Sequence, residues 1–184
     1  MTLLIAGVAL WWAAHLFKRL APGARAALGG AGYPVMAVAI LLSVVLMVLG
    51  YRDADGAVYW GRSPMWVGIN NLLMIVAFYF YAASAAKGAK IWLGTKVRHP
   101  QLTGFSIWAV AHLLVNGDTA SFILFGGLLA WAIVEILLIN AKEGPWQRPA
   151  RAPFKKEIVA VVVTIVVTVV VMGIHYALGV TPWG

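Results

Sequence analysis

Cysteine is absent from the 184 residues. That absence removes disulfides, iron–sulfur clusters and thiolate metal ligands at once. Charge is scarce too: 14 lysines and arginines and 6 acids, in a chain that is 62% hydrophobic. The charges gather between long apolar runs, whereas a soluble domain spreads them over a wet surface, so an integral membrane protein is expected. No large polar interval exists either. The longest, residues 141–157, is too short to bury a core, which leaves one transmembrane domain over residues 1–184. Phosphate-cradling glycine loops, zincin helices and serine triads are missing, which argues against soluble-type catalysis.

What is present is six apolar segments, residues 2–17, 34–50, 66–86, 101–115, 119–140 and 158–178. Most have the roughly 17–25 residues that cross a bilayer as a helix. Turn-formers part them: Pro22-Gly23, Asp53 to Gly56, Gly88 and Gly94, Asn116-Gly117-Asp118, and Gly144-Pro145. Asp118 suits the N-cap of a helix starting at Thr119. The first run has no basic stretch ahead of it, and it reads as a retained membrane helix instead of a signal peptide.

Twelve of the 14 basic residues lie in the first, third and fifth connections: Lys18, Arg19 and Arg25; Lys87, Lys90, Lys96 and Arg98; Lys142, Arg148, Arg151, Lys155 and Lys156. By the positive-inside rule these connections are cytoplasmic and both termini lie outside. The fourth segment is short, about 24 Å as a helix. If it failed to cross, the five basic residues after the fifth segment would face outward, so a crossing is expected. The net charge of +8 therefore sets topology and meets anionic head groups, and no nucleic-acid partner is implied. The expected architecture is an all-α polytopic bundle of about six transmembrane helices.

Ionisable groups at membrane depth are costly and usually have a task or a partner. His112, in Trp108-Ala-Val-Ala-His112-Leu, and His15, in Trp12-Ala-Ala-His15-Leu, both lie within apolar segments. Each has a tryptophan one turn back on the same helix face, Trp108 and Trp11. A neutral imidazole there can ligate a metal or haem iron, or hydrogen-bond a neighbouring helix. Arg98-His99-Pro100 marks a helix start, with Pro100 in the first turn and Arg98 snorkelling or holding an anion. His175 reads as interfacial. Glu135, the only acid deep in a span, either carries protons or pairs with a cytoplasmic lysine. Asn70 and Asn71 read as packing contacts, and Phe78 to Tyr81 as an aromatic belt.

The order His15, Gly50-Tyr51-Arg52, Arg98-His99-Pro100, Trp108 to His112 and Asn116 to Asp118 resembles the NnrU family over nearly the whole chain. The resemblance implies a multi-pass protein of the bacterial inner membrane linked to denitrification and nitric-oxide metabolism. It also implies kinship with the plant 15-cis-ζ-carotene isomerases, haem-dependent enzymes acting on a membrane-dissolved polyene. Carried over, haem b would be held by His15 and His112, with Trp11 and Trp108 beside the porphyrin and Arg98 on a propionate. The plant enzymes have a cysteine one turn before the second histidine, where this chain has Ala109. By helix rise His112 lies about 13 Å farther out than His15, so His99, nearer in depth, is the reserve ligand. Arg98-His99-Pro100 with Gly104 also resembles the start of the isoprenylcysteine and phospholipid methyltransferases, which bind S-adenosylmethionine. The Glu-rich and Gly-x-x-Tyr-x-x-Tyr runs of that group are missing. A cofactor-free membrane scaffold, with histidines as packing residues, is the remaining alternative.

Overall fold

The computed structural model describes residues 1–85 and 88–183. Lys87, and Ala86 at the end of the third apolar segment, lie outside the described residues. Among the described residues seven α-helices form: α1 (Thr2–Leu20), α2 (Pro22–Ala27), α3 (Gly32–Arg52), α4 (Pro64–Ala85), α5 (Pro100–Val115), α6 (Thr119–Glu143) and α7 (Phe154–Ala177). Five are long and apolar enough to span a membrane, and α5 is shorter. The expected polytopic helical bundle is the observed one.

The helix ends follow local chemistry. Pro64 and Pro100 occupy first-turn positions that need no N–H donor. Asp118 caps α6, accepting from Ser121 N at 2.8 Å and Ser121 Oγ at 2.7 Å. Gly144, at φ 68°, ends α6 in a conformation that side chains with a Cβ resist. Within α6, residues Phe122–Gly126 adopt a π-helical turn.

Small residues let the helices approach. A Cβ on Gly50 of α3 would lie 2.2 Å from Leu4 N of α1, and one on Gly7 would lie 2.7 Å from Met47 N. Gly104 of α5 likewise sits against Ala77 O of α4. Lipid offers no hydrophobic drive between helices, so this close backbone packing is what joins them. Outward faces stay apolar: Leu41 and Val169 are 66% and 64% exposed. Ala160 and Thr164 are the only buried residues described in α7, as expected of a lipid-facing span.

Three features depart from the expectations. The Pro22-Gly23 turn is wound into the short helix α2. The second and fourth connections form an antiparallel ribbon, β1 (Val58–Trp60) with β2 (Gly117–Asp118). Gly117 is required there, because a Cβ would overlap the Trp60 ring. The Phe78–Tyr81 run is more than an aromatic belt: Tyr79 donates to Glu157 Oε1 at 2.9 Å and so ties α4 to α7.

These contacts sort the loops into two sets. Connections two and four join through the ribbon, with Met1 near Gly56, Arg62 donating to Thr181 O, and Asn71 donating to Pro182 O. Connections three and five join through a Lys90–Arg151 bridge, and Lys142 donates to Arg19 O. One end of the bundle therefore holds both termini, and the other holds the basic connections. Helix α5 does run from one end to the other.

Candidate functional site

The four histidines are placed unequally. His112 of α5 lies between Trp108, 5.1 Å away between ring centres, and Phe125, stacked at 4.8 Å. Phe125 belongs to the π-helical turn of α6; such turns recur at functional sites because they re-aim a side chain. Across from it stands His175 of α7, with ring centres 6.5 Å apart. His112 Nδ1 donates to Trp108 O at 2.9 Å, and His175 Nδ1 donates to Val171 O at 2.8 Å. A carbonyl only accepts, so Nδ1 carries the proton in both rings and Nε2 keeps its lone pair. Among the described residues no hydrogen bond engages either Nε2.

Both rings line a cavity of about 390 Å³ at the terminal end, together with Arg62, Asn70, Asn71 and apolar side chains of α4 and α7. That size falls within the roughly 300–1,000 Å³ of small-molecule sites. Asn70 Nδ2 donates to Ala111 O at 2.7 Å, which fixes α4 against α5 beside His112. The packing role expected of Asn70 and Asn71 holds.

His15 occupies another place. Its ring lies 4.1 Å from Trp11 and 4.7 Å from Trp131, with Nδ1 donating to Trp11 O at 2.9 Å. It lines a second cavity, about 370 Å³ at the basic end, with Trp11, Tyr81, Gln101, Phe105, Trp131 and Glu135. Between His15 and His112 runs a relay of rings, Trp11 to Phe105 at 6.1 Å and Phe105 to Trp108 at 5.0 Å. The structure pairs each histidine with its own tryptophan, as the four-residue spacing predicts, but it does not bring His15 and His112 to one cavity.

Arg98 and His99 line a third cavity at the basic end. Arg98 donates to Gly144 O at 2.7 Å and faces Glu143 at 3.7 Å, while His99 Nε2 donates to Asn140 Oδ1 at 2.9 Å. About 18 Å of helix separates Pro100 from His112. Arg98 thus lines a different cavity from His112, and Arg62 is the cation on the cavity of His112. His99 also lines a different cavity from His15.

Glu135 pairs with a cation, and the partner is Arg19: Arg19 Nε donates to Glu135 Oε1 at 2.7 Å. Its other oxygen, Oε2, is buried with no partner, as are Trp11 Nε1 and Trp131 Nε1. An unmet buried polar atom costs about 1–3 kcal/mol. All three belong to residues lining the basic-end cavity. Among the described residues no group of three His, Asp or Glu side chains could hold a metal ion.

Sequence reasoning missed His175, Arg62 and Phe125 at one end and Trp131, Tyr81 and Gln101 at the other. Signals for two of these were available. Parity puts the last turns of α5 and α7 at one membrane face, and Trp131 with Glu135 repeats the four-residue spacing of Trp11 with His15.

No curated protein and no solved structure matches the chain. The family model described as NnrU protein matches residues 3–182, and with that span covering almost every helix described above, the chain belongs to the NnrU family.

Proposed function

We propose that this NnrU-family membrane protein holds haem b in its terminal-end cavity, where His112 and His175 would be the residues that hold the iron. The observation that carries the proposal is the two opposed imidazoles, each with Nδ1 tied to a carbonyl of its own helix. A metal bonded to two imidazole nitrogens at about 2.0–2.1 Å each spans ring centres roughly 6 Å apart. The His112 and His175 ring centres, 6.5 Å apart, are compatible with that. The carbonyls of Trp108 and Val171 orient the rings, the usual outer-shell device of ligating histidines. Arg62 supplies the positive charge that a propionate requires, and Phe125, stacked on His112, is a flat apolar wall of the cavity. Bound there, haem iron would supply gas binding or redox chemistry tuned by the axial ligands.

The function this supports is a haem centre of the bacterial inner membrane linked to nitric-oxide and denitrification metabolism. A second reading, isomerisation of a membrane-dissolved polyene, draws on the apolar wall of Met74, Ile75, Phe78, Val171 and Met172. Methyl transfer from S-adenosylmethionine draws no such support, because Arg98 is already engaged by Gly144 O and Glu143.

The test is the absorption spectrum of detergent-purified protein expressed with ample haem. A Soret band is expected in the wild type and in His15→Ala, and its loss in both His112→Ala and His175→Ala. No band in the wild type overturns the haem reading in favour of a scaffold. A band lost in His15→Ala but kept in His175→Ala would move the iron to the pair that the family resemblance implies.

A further inference from the structure

The wall of the terminal-end cavity is not all helix. Beyond α7 the chain turns at Gly179, whose φ of 84° is a conformation that a Cβ disfavours. Gly179 N donates to Tyr176 O at 3.0 Å and Val180 N to His175 O at 2.9 Å, which fixes the turn. Val180 and Pro182 then line the cavity beside His175. The segment is tied on its other side to α4: Asn71 Nδ2 donates to Pro182 O at 2.8 Å, and Arg62, just ahead of α4, donates to Thr181 O. Residues 179–183 therefore form a strap from the end of α7 to α4, and both helices line the cavity with it.

Burial does not hold this strap. Leu178 is 77% exposed, Val180 43% and Trp183 56%. The Trp183 ring rests on Tyr176, 5.2 Å away, but that contact returns to α7 and leaves the crossing to the two polar ties. Segments with few buried apolar contacts and exposed hydrogen bonds open at the low end of a protein's stability range.

We propose that residues 179–183 gate the cavity of His112 and His175. The cavity fills and empties when Asn71 and Arg62 release the strap carbonyls, and Gly179 is the hinge that absorbs the backbone change. Losing one net hydrogen bond shifts the ratio of open to closed strap by about fivefold. The gate acts whatever the cavity takes, so its test needs no haem.

A chain without cysteine lets one introduced thiol report entry. Val67 lines the cavity and is 4% exposed, so the rate at which Val67→Cys reacts with N-ethylmaleimide in detergent measures opening. Ile91→Cys, 5% exposed and packed with Ala83 and Ala160 at the basic end, reports general loosening. Asn71→Ala is expected to speed labelling of Val67→Cys about fivefold, and ending the chain after Leu178 about tenfold or more, since both ties are then lost. Neither change should alter Ile91→Cys. In the shortened chain Asn71→Ala should add nothing, which separates loss of the tie from loss of a wall side chain. Circular dichroism checks that each variant folds; Asn71→Ala carries the test if the shortened chain does not. Equal rates with and without the strap would mean entry between the helices and overturn the proposal. A gain in the shortened chain without one from Asn71→Ala would make the strap a fixed cover, and equal gains at both thiols would mean a loosened bundle. Either result also overturns it.

Discussion

Removing the Arg19 guanidinium would strand the Glu135 carboxylate among Trp11, Trp131 and the His15 ring, where only one of its oxygens has a hydrogen-bond partner. Breaking a fully buried pair costs about 3–5 kcal/mol. The Arg19 side chain is 25% exposed, so screening by water trims that figure. Arg19→Ala is therefore expected to lose about 1–3 kcal/mol of stability, and Arg19→Ala with Glu135→Gln to recover most of it, because the double variant leaves no uncompensated charge. Denaturant unfolding of purified protein in detergent reads both, and simple additivity would show that the pair does not couple. At this scale the sequence was legible where side chains interact within one helix. Trp11 with His15 and Trp108 with His112 follow from spacing alone. What faces what across helices was not legible. The ring across from His112 is that of His175, far along the chain, and this depends on how α7 is rotated against α5.

Helices α1 and α3 meet through glycines, and that contact can be tested without touching either cavity. The Cβ of Gly50→Ala would fall 2.2 Å from Leu4 N and 2.7 Å from Leu3 C, both backbone atoms that cannot swing aside. Overpacking of this kind typically costs about 1–3 kcal/mol. Gly68→Ala in α4 meets nothing within 4 Å, and alanine is the better helix former by about 0.8–1.0 kcal/mol, so that change should be neutral or stabilising. Thermal unfolding in detergent distinguishes the two; equal effects would mean that α1 and α3 are not held together by close backbone approach. The spans themselves were readable because a bilayer demands length and apolarity. Residues 119–140 became Thr119–Glu143, and 158–178 became Phe154–Ala177. The β1–β2 ribbon was not readable. Val58–Trp60 is too short for a period-two pattern, and its partner is a capping sequence. The π-helical turn at Phe122–Gly126 left no signal either, since its sequence is as apolar as its neighbours.

Taken whole, the molecule has two chemically different ends. The basic end carries the Arg19–Glu135 pair, and the terminal end carries the two opposed imidazoles behind the ribbon. Loop contacts fix which connections share an end, and the positive-inside rule predicts that the basic one faces the cytoplasm. That sidedness would put the cavity of His112 and His175 near the outer face and the cavity of His15 and Glu135 near the inner face. The absence of cysteine makes the assignment directly measurable. A single cysteine at Asp55→Cys in the second connection, or at Gln147→Cys in the fifth, falls at an exposed position. With intact spheroplasts and a membrane-impermeant maleimide, Asp55→Cys should label at once, and Gln147→Cys only after permeabilisation. The reverse pattern would invert the protein and put the imidazole pair on the cytoplasmic side. Labelling of both sites from outside would deny that α5 crosses, and with it the sidedness that the ribbon and the Lys90–Arg151 bridge impose.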